Sequence, residues 1–343
     1  MGNVPSIAVS DPSVPSPPPT SVAAVTATGR SRDPSTGPGR VTLIVNPHAT
    51  TTSRRTREAT VRALARRFEI VPVDTEAPGH ATILAREAIA DGAGAVFALG
   101  GDGTANEAAN GLAGTGVPLV PLPGGKTNVF HRLIGIPKRL GDAVDHVAAL
   151  ADRWEPRPVD LGRVNDRWFT FAAGFGLDAA VVRSVDLHPR LKRGLGPWYY
   201  TASAVGTFLR EYVTDAPRLE VLTPDGRVLG GRTAIFQNAT DYTYFSARPI
   251  RLLHGQDLST GTLSGAVLRH TRPTIMPGII ARAVIRPLDL GRHGAVDATG
   301  QVPEVTVRSV DGRPTATHVD GDYIGALVEA RLTVGRGALH VVA

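Results

Sequence analysis

Between Val41 and Leu122 the chain alternates short apolar runs with amphipathic segments, and the two clearest runs end on turn residues. Val41-Thr42-Leu43-Ile44-Val45 is closed by Asn46-Pro47, and Ala95-Val96-Phe97-Ala98-Leu99 stops at Gly100-Gly101. Runs this short and this apolar suit strands buried on both faces of a parallel sheet. Between them, Thr52 to Phe68 sets Val61, Leu64, Ala65 and Phe68 at helical spacing among arginines. Pro78 to Asp91 reads as a second helix with Ile83, Leu84, Ala88 and Ile89 on its inner face. Glu69 to Val73 reads as strand, Ala105 to Leu112 as helix and Val117 to Leu122 as strand. Repeated β-α units of this length build an open parallel sheet with helices on both faces, and ligands on such sheets bind beyond the carboxyl ends of the strands.

The flanking segments follow other rules. Residues 1–40 hold eight Pro, seven Ser and four Gly with no Leu and no aromatic residue, too little apolar surface to offset the entropy of ordering them. A disordered tail is predicted. It opens without a basic residue, and Pro17, Pro18 and Pro19 interrupt its apolar residues, so it does not read as a secretory signal. Gly2 and Ser6 fit the loose myristoylation pattern, a match that chance produces often.

After about Asp160 the chain turns to short alternating runs, among them Arg218 to Leu222, Ala234 to Gln237, Leu263 to Leu268 and Val305 to Val310. Asp225-Gly226 and Asp311-Gly312 punctuate them, which predicts antiparallel structure. One segment, Pro197 to Tyr212, keeps helical spacing, with Trp198, Ala202, Val205, Leu209 and Tyr212 on one stripe and Arg190, Lys192 and Arg193 before it. Core packing explains such a stripe more simply than a lipid entrance. The fold class expected is α/β + β: an open parallel α/β domain over 41–158 and an antiparallel β-rich domain over 159–325. Residues 326–343 read as C-terminal strands whose return to the first domain is left open.

Composition narrows the chemistry. With no cysteine among 343 residues, disulfides, thiolate metal sites and a thiol nucleophile are excluded. No apolar run approaches the ~20 residues of a membrane-spanning helix. The formal charge of +6 favours anionic partners. Only Lys126, Lys138 and Lys192 are lysines among 37 basic residues, and the arginines are scattered, so no nucleic-acid partner is expected. His48, His80 and His131 fall near the carboxyl ends of the expected strands without a zinc-type spacing.

Gly100-Gly101-Asp102-Gly103-Thr104 is the sharpest local feature, set between a buried strand and a helix. Three glycines let the backbone turn tightly and approach a polyphosphate, and the helix N-terminus behind them offers unpaired N–H groups. It is neither the dinucleotide pattern nor a Gly-x-x-x-x-Gly-Lys loop. A carboxylate beside phosphates is repelled unless it holds a cation or takes a proton. Alternatively, Asp102 and Thr104 simply cap the next helix.

Together with Ala105-Asn106-Glu107 and Asn110-Gly111-Leu112, this pentapeptide resembles the signature of the diacylglycerol kinase catalytic-domain family, which includes sphingosine kinases and soluble bacterial lipid kinases. Asn46-Pro47, Thr75 with Gly79-His80-Ala81, Pro123 to Phe130, Val159-Asp160-Leu161-Gly162, Phe169 to Leu177 and Val319-Asp320-Gly321-Asp322 match further family elements in the same order. Motifs in order are stronger evidence than any one alone.

The resemblance implies an ATP- and Mg²⁺-dependent kinase acting on a lipid hydroxyl at a membrane surface, in the cytoplasm and peripheral to the inner face of the membrane. Diacylglycerol, giving phosphatidic acid in phospholipid biosynthesis, is the leading acceptor. The alternatives are a long-chain-base kinase and a non-catalytic nucleotide- or lipid-binding member. It puts Asn46, Thr75, Gly79, Gly101, Asp102, Gly103, Thr104, Gly125, Lys126 and Asn128 at the nucleotide. Asp102 and Asp322 become the acidic candidates for catalysis, with Asp102 also a candidate Mg²⁺ ligand. Departures accompany the match. Lys126 stands where the family often has threonine, Val129 where it often has aspartate, and Asp322 where it has glutamate. Asn46-Pro47-His48-Ala49-Thr50 lacks the common Ser-Gly. Ser259-Thr260-Gly261-Thr262-Leu263 lacks the carboxylate of an accessory metal turn, for which Asp257 is the substitute at hand.

Overall fold

The structure is a computed structural model that describes residues 37–186, 218–245, 248–284 and 290–343. Residues 1–36 of the expected tail and the expected helix Pro197 to Tyr212, with the basic residues before it, lie outside the described residues.

Four parallel strands carry the first part: β1 (Arg40–Val45), β2 (Glu69–Asp74), β3 (Ala95–Gly100) and β4 (Leu119–Pro123), in the order β2-β1-β3-β4. Helices α1 (Arg54–Leu64), α2 (His80–Ala90) and α3 (Asp102–Leu112) connect them. All six residues of β3 are buried, as a central strand covered on both faces requires. Ser53 starts α1 by accepting a hydrogen bond from Thr56 N–H.

Two expectations need correction. Ile83 does not face inward. It is 52% exposed, and α2 buries Ala81, Leu84, Ala85 and Ala88 instead. The reason is close helix packing: a Cβ on Gly111 of α3 would lie 2.7 Å from Ala85 Cβ and from the Thr82 carbonyl, so the small-residue face of α2 takes the contact. The second correction concerns α3, which begins at Asp102 rather than Ala105. Gly101 is its N-cap, no side chain caps it, and Asp102, Gly103 and Thr104 form its first turn.

The chain continues through α4 (Val129–Leu133), α5 (Leu140–Ala149), β5 (Arg157–Val164), β6 (Arg167–Phe169), β7 (Ala172–Phe175) and α6 (Leu177–Asp186). Then come β8 (Leu219–Leu222), β9 (Val228–Gly231), β10 (Thr233–Gln237), β11 (Thr243–Phe245), β12 (Arg248–Ile250), β13 (Leu263–Leu268) and α7 (Met276–Val284). The last strands are β14 (Val296–Val302), β15 (Glu304–Ser309), β16 (Thr315–Val319), β17 (Asp322–Leu327) and β18 (Glu329–Val341).

The first sheet extends past β4. The long β18 lies parallel to β4 at Val341↔Leu119 and antiparallel to β5 and β15, and β8 and β9 complete that edge. A mixed sheet results, parallel on one side and antiparallel on the other. The second sheet runs β14-β13-β10-β7-β16-β17, antiparallel throughout. Asp225-Gly226 joins β8 to β9, with Gly226 at φ 83°, whereas Asp311-Gly312 leads from β15 in the first sheet to β16 in the second. Phe169, Phe175, Phe236, Val305 and Leu332 belong to one buried cluster fed by strands of both sheets. The Phe175 and Phe236 rings within it meet edge to face at 6.1 Å. Among the described residues no helix is long and apolar enough to cross a membrane.

Candidate active site

The order β2-β1-β3-β4 reverses direction between β1 and β3, and a crevice beyond the carboxyl ends of those strands is where such sheets take ligands. Asn46, immediately after β1, locks the two strand ends together. Its N–H donates to the Leu99 carbonyl (2.9 Å), its Nδ2 donates to Thr104 Oγ1 (3.1 Å), and its Oδ1 accepts from His48 N–H (2.9 Å). Thr104 is thereby held, buried, in the first turn of α3.

The two glycine-rich loops pack backbone to backbone. Gly124 N–H donates to the Gly100 carbonyl at 2.7 Å. A Cβ on Gly124 would stand 2.9 Å from Gly100 Cα, and one on Gly125 would stand 2.9 Å from Gly101 Cα. Glycine is therefore required here first for loop-to-loop contact. Gly101 alone has room: its Cβ would meet only Gly125 Cα, at 3.7 Å. Asn128 clamps the second loop, accepting from Gly125 N–H (3.0 Å) and donating to the Gly125 carbonyl (2.7 Å). It does so at φ 51°, a left-handed conformation that asparagine tolerates. Lys126, at the tip, is exposed.

Asp102 Oδ1 accepts the N–H of Phe130 (3.0 Å), tying α3 to α4, while its second oxygen takes no hydrogen bond from the described residues. His131 Nδ1 lies 3.8 Å from the same Oδ1, fully buried, with neither ring nitrogen hydrogen-bonded. The amides of the first turn of α3 have no intrahelical acceptor and carry the positive end of the helix dipole. A free carboxylate oxygen beside unpaired N–H groups suits a magnesium polyphosphate, since a hard cation takes oxygen ligands and helix N-termini take phosphate.

Thr75 and Gly79 stand farther along the same edge. Thr75 N–H extends the β2 pairing to the Val45 carbonyl (2.8 Å). Gly79, at φ 84°, precedes α2, and the Glu107 carboxylate of α3 accepts from Gly79 N–H (2.8 Å) and Ala81 N–H (3.1 Å). Glu107 thus caps α2 from another helix. A cleft lined by Pro47, Thr52, Arg57 and Asp74 opens at the ends of β1 and β2.

Asp322 arrives from the far end of the chain. A Cβ on Gly103 would stand 2.7 Å from Asp322 Oδ2 and 3.2 Å from Oδ1. A side chain at 103 would therefore meet this carboxylate. Asp320 and Gly321 form the two-residue turn between β16 and β17, both at positive φ (50° and 82°). The Asp320 carboxylate is buried and accepts from Thr170 N–H (2.6 Å), Thr170 Oγ1 (2.8 Å), Phe171 N–H (2.9 Å), Ala172 N–H (3.1 Å) and Asn106 Nδ2 (2.7 Å). Burial pushes its pKa above the usual value, against the pull of those N–H donors. Asn106 and Asn110 also donate to the Trp168 carbonyl (3.0 Å each), so this pair from the motif docks α3 onto β6 and the hairpin.

A further polar group lies behind the turn. His318 Nε2 and Asp178 Oδ2 are 2.6 Å apart, Tyr242 Oη donates to the same oxygen (2.6 Å), and Gly321 N–H donates to His318 Nδ1 (3.3 Å). Burial would raise the Asp178 pKa, but His318 and the two hydrogen bonds hold it below the usual range. Burial and then the Asp178 charge push the Tyr242 pKa well above its usual value.

In the expected accessory metal turn, Asp257 Oδ1 accepts from the N–H and Oγ of Ser259 (2.7 Å each), and Gly261 N–H donates to buried Asp160 Oδ2 (2.6 Å). Asp160 also accepts from Gly337 N–H (2.8 Å), joining this loop to β18. Among the described residues, no three His, Asp or Glu side chains gather as a metal cluster.

Sequence reasoning singled out the glycine loops, Asp102 and Asp322. It assigned no role to Glu107, Asn106, Asp320, Asp178, His318 or Tyr242. Glu107, Asn106 and Asp320 lay within recognised motifs, which was the available signal. Tyr242 had none.

A parallel α/β edge with two interlocked glycine loops, met by a carboxylate from an antiparallel hairpin, defines the class. The family model for the diacylglycerol kinase catalytic domain matches residues 40–164. A diacylglycerol kinase of Bacillus subtilis (strain 168) is 33% identical over 172 residues, covering 47% of this chain and 53% of the relative. One from Mycobacterium tuberculosis (strain ATCC 25618 / H37Rv) is 32% identical over 151 residues, covering 42% and 48%. The chain thus spans about half the length of these curated relatives. A solved structure from Bacillus anthracis str. Sterne superposes at TM-score 0.70 with 22% identity over 92% of this chain and 97% of that one. A second, described as a diacylglycerol kinase from the same organism, gives 0.62 with 20% identity over 88% and 96%. At such identities the likeness speaks to the fold.

Proposed function

We propose that this chain is a kinase that moves the γ-phosphoryl group of ATP to a lipid hydroxyl, with diacylglycerol as acceptor and phosphatidic acid as product. The observation that carries the reading is the contact between the Asp322 carboxylate and Gly103 in the first turn of α3. It sets a proton acceptor beside N–H groups suited to phosphate. Phosphoryl transfer asks chiefly for positioning, charge neutralisation and a group to orient the nucleophile.

The amides of Asp102, Gly103 and Thr104 hold the polyphosphate, and the cleft beside Pro47 and Asp74 receives the rest of the nucleotide. The free oxygen of Asp102 suits Mg²⁺, which when bound neutralises charge on the phosphates. The lipid hydroxyl oxygen bonds to the γ-phosphorus as the bond to the β,γ-bridging oxygen breaks and ADP departs. The hydroxyl proton passes to a carboxylate, for which Asp102 and Asp322 are the two candidates. Lys126, exposed at the loop tip, is a flexible cation for the outer phosphates. The work takes place at a membrane surface, on the cytoplasmic face.

The test is incubation with magnesium and ATP radiolabelled at the γ-phosphate, offering diacylglycerol and a long-chain base separately in mixed micelles. Label in phosphatidic acid is expected. Label in the long-chain base alone would replace the acceptor, and label in neither would overturn the kinase reading.

A further inference from the structure

The hairpin that carries Asp322 is pinned on one side by Asp320 and on the other by a group with no part in nucleotide binding. Asp178 of α6, His318 of β16 and Tyr242 near β11 form a chain of hydrogen bonds ending at the Gly321 amide. A backbone N–H can only donate, so His318 Nδ1 is the acceptor and its proton sits on Nε2, facing Asp178. Space for the pair is reserved by the opposite strand. Gly174 of β7 is paired with His318, and a Cβ there would stand 2.5 Å from Asp178 Oδ2 and closer still to His318 Nε2. The backbone register slips between Thr317 and His318, so that His318 pairs with Tyr323 and Val319 with Asp322.

We propose that His318 is a positioning residue for Asp322: its Nδ1 accepts the Gly321 N–H and so fixes the turn from which the Asp322 carboxylate reaches the first turn of α3. Asp178 orients the imidazole by taking the Nε2 proton, and Tyr242 orients Asp178. This rests on the kinase reading in one respect only, the role of Asp322; the hydrogen-bonded chain itself does not depend on it.

Two substitutions divide the two jobs of the ring. His318→Asn keeps an acceptor near the Nδ1 position and loses the reach to Asp178. His318→Gln keeps a donor near the Nε2 position and loses the acceptor for Gly321. His318→Phe removes both. Two readouts are taken on the full chain: lipid phosphorylation, as kcat and KM for ATP, and hydrogen–deuterium exchange of the peptide spanning Gly321. Relative to the native protein, His318→Gln and His318→Phe are expected to lower kcat on the order of ten-fold, with KM for ATP nearly unchanged and Gly321 exchange faster. His318→Asn is expected to retain most of both. Equal losses in the Asn and Gln proteins, or native exchange at Gly321 in the Gln protein, would overturn the proposal. Should His318→Phe not fold, the Asn and Gln pair decides alone. Absence of native lipid turnover with the exchange pattern intact would overturn the kinase reading and leave the positioning of the turn standing.

Discussion

Two short acidic elements meet at the candidate site, and they invert each other: Gly101-Asp102-Gly103 at the start of α3 and Asp320-Gly321-Asp322 in the β16–β17 turn. In the first, one carboxylate sits between glycines whose neighbours are the other glycine loop and the hairpin, and a single amide, Phe130 N–H, holds one of its oxygens. In the second, the two carboxylates part company. Asp320 turns inward to five hydrogen bonds from three residues near β7 and one on α3, while Asp322, two positions later, turns toward Gly103. Residues of the same type in one turn are given opposite surroundings by which of them the packing closes off from water. Burial of a carboxylate is tolerated where donors satisfy it and costs heavily where they do not.

The contrast can be broken most forcefully at Asp320. Asp320→Ala leaves the Thr170, Phe171 and Ala172 amides and the Asn106 amide without their acceptor, at roughly 1–3 kcal/mol for each buried group left unsatisfied. A loss of more than about 3 kcal/mol in urea-monitored stability is expected. A loss under about 1 kcal/mol would show that the hairpin is held elsewhere.

Asp102→Asn should act on chemistry and spare the fold. Asparagine keeps an oxygen for Phe130 N–H but gives up the charge, so turnover should fall by on the order of 10²-fold with an unchanged melting temperature. Near-normal lipid phosphorylation would remove Asp102 from the mechanism.

The two glycines of α3 sharpen the comparison where the elements touch. Gly103→Ala drives a methyl into the Asp322 carboxylate, so kcat should drop about ten-fold more than ATP affinity does. Gly101→Ala meets only Gly125 Cα, at 3.7 Å, and should weaken ATP binding, measured by calorimetry, without lowering stability. If the two variants behave alike, the contact between Gly103 and Asp322 does not matter to function.

Asp178 supplies a pH test. Its pKa is lowered in the fold, so it contributes stability above its ordinary value of 3.8, and that contribution is lost as pH falls through the folded value. The stability advantage of the native protein over Asp178→Asn should be present at pH 7 and shrink on acidification, as followed by thermal melts at a series of pH values. An advantage that grows toward acid would contradict the stabilisation of the Asp178 carboxylate by His318 and Tyr242. The smallest effect belongs to Ile83→Lys, expected to stay within about 0.5 kcal/mol because that side chain already faces water.

Local sequence determined a good deal. The strands over 41–45 and 95–99, the turns that end them, and the glycine loops were legible because strand burial, glycine freedom and chain reversal are properties of a few consecutive residues. Even there, tertiary contact set details: α3 reaches back to Asp102 because the Phe130 amide takes the carboxylate that would otherwise serve as a cap. Ile83 satisfied the helical period, yet Ala81, Ala85 and Ala88 won the inner face because α3 approaches through Gly111. Motif order along the chain was enough to name Asp322, but not to put it against Gly103.

What only the folded chain decided is which polar groups lie within reach of each other. The sequence separation between Asp320 and Asn106 is 214 residues, and that between His318 and Asp178 is 140. No local preference encodes such pairs, since a hydrogen bond is satisfied within about 3 Å and only the packing of helices on the sheets brings those atoms that close. Sequence supplied the glycine-rich strand ends through the geometry of its own backbone. Tertiary structure supplied the second carboxylate and everything that aims it, because aiming a side chain requires partners from strands and helices that share no neighbourhood along the chain.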